Sequence, residues 1–107
     1  MKKSKLKPAS HLLLFRLNQV YGELDKLEPD EAERKMEAVE ADLDALALRD
    51  PVEATKIARA SSYFLDEAIE PDEVYLGSYV FVHKSLLQAL DTVEKRKEYI
   101  ASINRTN

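Results

Sequence analysis

Residues 74–82 read VYLGSYVFV, and the way this stretch folds decides what kind of protein the chain makes. Seven of the nine positions are apolar or aromatic, and Tyr75, Tyr79 and Phe81 all fall inside it. As a helix the stretch is apolar on every face, which suits either the centre of a core or a surface shared with another chain. As a strand it has the right β-branched and aromatic residues, but a single strand would find no partner elsewhere in the chain. The expected state is therefore helical, with Gly77 and Ser78 as the point where such a helix would break.

Outward from this stretch, Leu76, Tyr79, His83, Leu86, Leu90, Val93, Lys97 and Ile100 recur at alternating spacings of three and four. That pattern predicts a helix from Pro71 to Ile103, about 32 residues and about 48 Å long. Upstream, Leu13, Leu17, Val20, Leu24 and Leu27 make one helical stripe, widened by Leu14 and Tyr21, and Ala32, Met36, Val39, Leu43 and Leu46 make a second. Pro8 and Ser10 offer a start for the first helix, with Ser10 as a candidate cap. Gly22 inside it costs about 1 kcal/mol against Ala; it either admits a close helix crossing or is merely tolerated. A third helix opens at Asp50-Pro51 with Glu53 three after the cap, a capping box, and continues through Ile57, Ser61, Phe64 and Ala68.

The tetrapeptide EPDE occurs twice, at Glu28–Glu31 and Glu70–Glu73. Proline suits the first helical position, and the acidic residues beside it complement the positive end of the helix dipole. Both copies are read as helix starts, for the second and fourth helices. The expected fold is all-α: a four-helix up-and-down bundle, or two helical hairpins, with a long C-terminal helix and a dimer as the expected assembly. Residues 1–9 are expected to form a basic, disordered N-terminal segment and residues 10–104 a single helical domain.

Net charge is −4, yet residues 1–27 carry +4 and residues 28–50 carry −6. A broad acidic surface repels phosphate backbones, so nucleic acid is an unpromising main ligand. The chain has no cysteine, which removes disulfides, thiolate metal sites and cysteine nucleophiles. After the opening MKKSKLK the apolar run LLLF is only four residues long before Arg16 interrupts it, too short for a signal peptide or membrane span. A cytoplasmic protein is expected.

Little in the chain points to catalysis. The two histidines, His11 and His83, have Pro8 and Val80 three residues before them, so the Glu-x-x-His signature of di-iron bundles is absent. Two glycines 55 residues apart make no phosphate loop. Glu37-x-x-Glu40 and Glu67-x-x-Glu70 each set two carboxylates on one helix face, a pattern that resembles the metal-binding logic of all-α nucleotide pyrophosphohydrolases of the MazG type. That resemblance implies Mg²⁺ held against a nucleotide phosphate, although residue 70 is Glu where the family pattern has Asp. The leading expectation is a non-enzymatic helical module for protein–protein interaction: a small regulator, adaptor or assembly factor without a cofactor. Its partner is another protein, with a homodimer formed partly through Tyr75, Leu76, Tyr79, Val80, Phe81 and His83. The alternatives are the Mg²⁺-dependent hydrolase and an accessory nucleic-acid binder using the basic termini.

Overall fold

The computed structural model describes residues 6–105, with residues 65–67 and 105 described by their backbone alone. Helix α1 spans Pro8–Glu23 and ends in a 3₁₀ turn at Leu24–Lys26. It buries Leu13 and Leu17, and Val20 packs beside them, as the stripe predicts. The cap differs from expectation. Lys7 occupies the cap position without a side-chain capping bond, its ammonium pairing instead with Asp50 at 3.3 Å, and Ser10 is buried in the first turn, bonded to the Glu53 carboxylate. Gly22 serves no crossing among the described residues, because a Cβ there would meet nothing within 4 Å.

Helix α2, Pro29–Arg49, begins where the first EPDE places it, with Pro29 in the opening turn and Asp30 and Glu31 beside the positive dipole end. Val39, Leu43 and Ala47 are its buried residues. A single residue, Asp50, links it to α3, Pro51–Ala60. Asp50 Oδ1 accepts the Glu53 N–H at 3.2 Å, the first half of the capping box. The second half is missing: the Asp50 N–H goes to the Leu46 carbonyl at 2.7 Å, and Glu53 Oε2 turns to accept the Lys7 N–H at 2.9 Å. The α3 stripe stops early. Ser61 is extended, and a 3₁₀ segment at Ser62–Glu67 carries Phe64 back into the core.

The all-α expectation is overturned between residues 70 and 92. The second EPDE starts no helix: Pro71 and Asp72 form a turn, and Glu73 opens strand β1, Glu73–Gly77. The chain reverses at Ser78-Tyr79 into β2, Val80–His83, and the two strands pair antiparallel. The partner that seemed missing lies within the same nine residues. Both turn residues have positive φ, +53° and +63°, the two-residue geometry that matches the twist of a hairpin. Tyr75 pairs with Phe81 and Gly77 with Val80, so Leu76 is an extra residue that bulges β1.

The hairpin is covered on both faces. Tyr75 and Phe81 join Phe64 in a core with Leu13, Leu17, Val39, Leu43 and Ile57 from the three helices. Val74, Leu76, Val80 and Val82 form a second core with Leu86, Leu90, Tyr99, Ile100 and Ile103. A strand buried on both faces reads as an unbroken apolar run, the same signature as a fully buried helix. That shared signature is why the helical reading of VYLGSYVFV fails. A lone two-stranded hairpin is marginal in water, so this one depends on both layers.

The predicted 48 Å helix is replaced by the hairpin, a 3₁₀ segment at Lys84–Gln88 and a short helix α4, Val93–Arg105. Thr92 Oγ1 accepts the Lys95 N–H at 3.2 Å at the α4 start. Among the described residues, no helix is long and apolar enough to cross a membrane.

Candidate binding site at the hairpin turn

On α2, Glu33, Glu37, Glu40 and Asp44 recur at spacings of four, three and four, so they line one stripe of the helix. The stripe runs beside the buried face of Val39, Leu43 and Ala47 and leads to the hairpin turn. Tyr63, on the 62–67 segment, and Tyr79, on the turn, both donate their hydroxyls to Glu40 Oε2, the latter at 2.6 Å. Tyr75 donates its hydroxyl to Asp44 Oδ1 at 2.8 Å, and its phenol oxygen accepts the Tyr79 N–H at 3.1 Å. The two carboxylates therefore clasp both ends of the β1–β2 connection.

The aromatic rings continue this arrangement. Phe64 is the hub, with ring centroids 5.3 Å from Tyr63 and Tyr75 and 5.6 Å from Tyr79. Tyr21 of α1 meets Tyr63 edge-on at 6.3 Å. The inner members are buried and the outer ones open to solvent: Tyr75 is 1% exposed, whereas Tyr21 and Tyr79 are 44% and 46% exposed.

Burial pushes the Asp44 carboxyl above its ordinary value; bonds from Tyr75 and the Ser78 backbone oppose the shift, and Glu40 adds repulsion. Burial likewise pushes the Tyr63 and Tyr75 phenols up, with Glu40 and Asp44 respectively reinforcing it. Phenols shifted this way stay protonated, so they donate hydrogen bonds and do not serve as nucleophiles or bases near neutrality. Among the described residues no lysine, arginine or histidine forms an ion pair with Glu33, Glu37, Glu40 or Asp44. The result is an anionic stripe ending in a rim of tyrosine rings.

The six residues expected to form a partner surface are dispersed. Tyr75 lies in the first core, and Leu76 and Val80 lie in the second. Phe81 is partly buried against the first core. Tyr79 reaches solvent at the turn, and His83 is exposed at the opposite end of the hairpin, its Nε2 3.8 Å from Asp72. Only Tyr75, Tyr79 and Phe81 share the aromatic cluster. Tyr63 and Tyr21 belong to it but were not legible as site residues, since Tyr63 reaches it through the break in α3. The acidic stripe had a signal in its 4-3-4 spacing.

The carboxylate pairs of the hydrolase alternative are not arranged as that reading requires. Glu37 and Glu40 sit on α2, but Ala68 takes left-handed backbone and Glu70 lies in a non-helical link. The Glu67 side chain is outside the described residues. Among the described residues, no group of three or more His, Asp or Glu side chains could hold a metal ion. Of the basic Lys95–Lys97 run, Arg96 is structural, donating to the Leu90 carbonyl at 2.9 Å and to the Leu48 carbonyl. Compared with known protein families, characterised proteins and solved structures, the chain matches none.

Proposed function

We propose that the protein is a non-enzymatic, cytoplasmic interaction module that docks a basic segment of a protein partner on the acidic, tyrosine-rimmed surface at the hairpin turn. The observation that carries this reading is Tyr79, an exposed bulky residue held at φ +63°. Left-handed backbone at a bulky side chain costs of order 1–3 kcal/mol and clusters at functional positions. Glycine or asparagine would form the same turn without that strain. The position therefore favours what the tyrosine presents over what the backbone prefers. Tyrosine combines apolar area with a polar tip, the combination enriched at interfaces.

The stripe of Glu33, Glu37, Glu40 and Asp44 supplies the partner's chemistry. Four carboxylates without an ion-pair partner among the described residues call for lysine or arginine, and tyrosine faces attract the same cations. Titration of an ¹⁵N-labelled sample with an oligo-arginine peptide tests this. Shifts should concentrate at Glu37, Glu40, Tyr63 and Tyr79 and should weaken with salt. Tyr79→Gly should stay folded and bind about tenfold more weakly, about 1.4 kcal/mol. Equal affinity in the folded variant, or shifts confined to other surfaces, would sink the proposal.

A further inference from the structure

Residues 84–105 contain neither glycine nor proline, and Leu86, Leu90, Val93, Lys97 and Ile100 keep alternating spacings of four and three across them, the repeat of one continuous helix. The chain nevertheless breaks there into the 3₁₀ segment at Lys84–Gln88 and helix α4. The departure is small. Ala89 keeps right-handed helical backbone, at φ −81° and ψ −26°. The Leu90 N–H reaches the Leu86 carbonyl at 3.0 Å and the Arg96 N–H reaches the Thr92 carbonyl at 3.1 Å, both with the spacing of an α-helix. Asp91 and Lys95 form an i,i+4 ion pair at 3.1 Å that a straight helix would keep. Two side chains hold the bend between Leu90 and Thr92. Thr92 Oγ1 accepts the Lys95 N–H, and Arg96 Nε donates to the Leu90 carbonyl at 2.9 Å. A continuous helix would give that carbonyl to the Glu94 N–H. A bend held by side chains, in a segment without helix-breaking residues, is a hinge.

We infer that the link at Asp91 and Thr92 straightens and that two copies exchange α4, each seating it on the hairpin of the other. What covers that face is visible within one chain: Tyr99, Ile100 and Ile103 of α4 pack with Val74, Leu76, Val80 and Val82. Every copy carries the same face, so exchange repeats these contacts between chains. Arg96 then meets the partner subunit's Leu48 carbonyl as it meets its own in the closed form. Helix α4 is suited to leave, because none of its described side chains is fully buried and weakly buried elements open first. Straightening loses the Arg96 bond to Leu90 and the Thr92 cap. It gains the backbone bonds of a helix across the break. Only a few hydrogen bonds change hands, the condition under which identical elements exchange between copies. This exchange does not rest on the function proposed for the hairpin turn.

The test refolds an equal mixture of ¹³C-labelled and unlabelled chain from urea at high protein concentration. Sedimentation velocity should show a dimer. Isotope-filtered NOEs in that dimer should connect Ile100 and Ile103 of one copy with Leu76 and Val80 of the other. An ordinary face-to-face dimer would show these contacts only within a copy. Val93→Pro isolates the hinge. Proline suits the first position of α4 in the closed form but breaks a helix that runs through residue 93. The variant, folded by circular dichroism, should therefore dimerise at least about a hundredfold more weakly. Val93→Ala, compatible with both forms, should dimerise like wild type. Refolding to monomer alone, a dimer without the filtered NOEs, or equal dimerisation by folded Val93→Pro each overturns the inference. The filtered NOEs decide it in the unmodified chain even where Val93→Pro does not fold.

Discussion

At Gly77 the backbone has φ +112°, outside the range that L side chains readily adopt, and a Cβ there would sit 3.6 Å from Asp44. The strain is conformational, since that distance is ordinary contact. Gly77→Ala should destabilise the fold by about 1–3 kcal/mol. The urea midpoint should fall with an unchanged slope. Glu53 makes a different kind of contribution. Its carboxylate is buried at 4% exposure and is held below its ordinary value of 4.5, first by the Lys7 backbone N–H, against burial, with help from Ser10 and the charges of Lys56 and Lys7. A depressed carboxyl stabilises the fold above its unfolded value, and that contribution fades as pH falls through the folded one. Glu53→Gln should therefore lower stability at neutral pH by about 1 kcal/mol. The gap to wild type should close as the pH falls below the ordinary value of 4.5 and through the lower folded one, as followed by thermal melts across pH.

Among the elements, the hairpin carries the most consequence for its length. Thr55 of α3 accepts the Tyr75 N–H at 2.8 Å, and Arg59 holds the carbonyls of Glu70 and Glu73 at 2.5 and 3.0 Å. These bonds serve backbone groups of β1 and its approach that β2 does not. Leu76, at 0% exposure, plugs the second core, and Leu76→Ala should cost about 2–5 kcal/mol. Chemical denaturation monitored by circular dichroism would measure it. The helices were more legible than the hairpin. Pro29 and Asp50-Pro51 mark the starts of α2 and α3 through local chemistry, a missing N–H and a capping carboxylate, which needs no distant partner. EPDE at Glu70–Glu73 shows the limit of such signals, because the same four residues open a helix in one place and a strand in the other. The residues downstream of each copy make the difference. Helix α2 continues with one apolar face, whereas VYLGSYVFV has two, and only a hairpin between two layers buries both.

Over the whole molecule, two cores share the hairpin as their common wall, and α4 reaches the rest of the protein through few bonds. Arg96 is one of them, joining α4 to the carbonyl of Leu48 at the end of α2. Arg96→Ala should destabilise by about 1.5–3 kcal/mol, the scale of charge-assisted bonds. In hydrogen exchange, amides of α4 and β2 should lose protection first, while those around Leu17, Val39 and Leu43 keep theirs. The candidate site also belongs to this scale. The Glu33–Asp44 stripe was readable as a spacing, but its tyrosine rim gathers Tyr21, Tyr63, Tyr75 and Tyr79 from four separate elements, and no local pattern announces such a convergence. Three helices, two of their starting points, the charge separation along the chain and the lack of cysteine chemistry are all written in the amino-acid order, because capping, periodicity and charge act over a few residues. The folding of residues 74–82 as two strands, and the choice of tyrosines that meet Glu40 and Asp44, come from tertiary packing alone. An unbroken apolar run is compatible with either helix or strand, and the choice depends on layers supplied by residues far away in the chain.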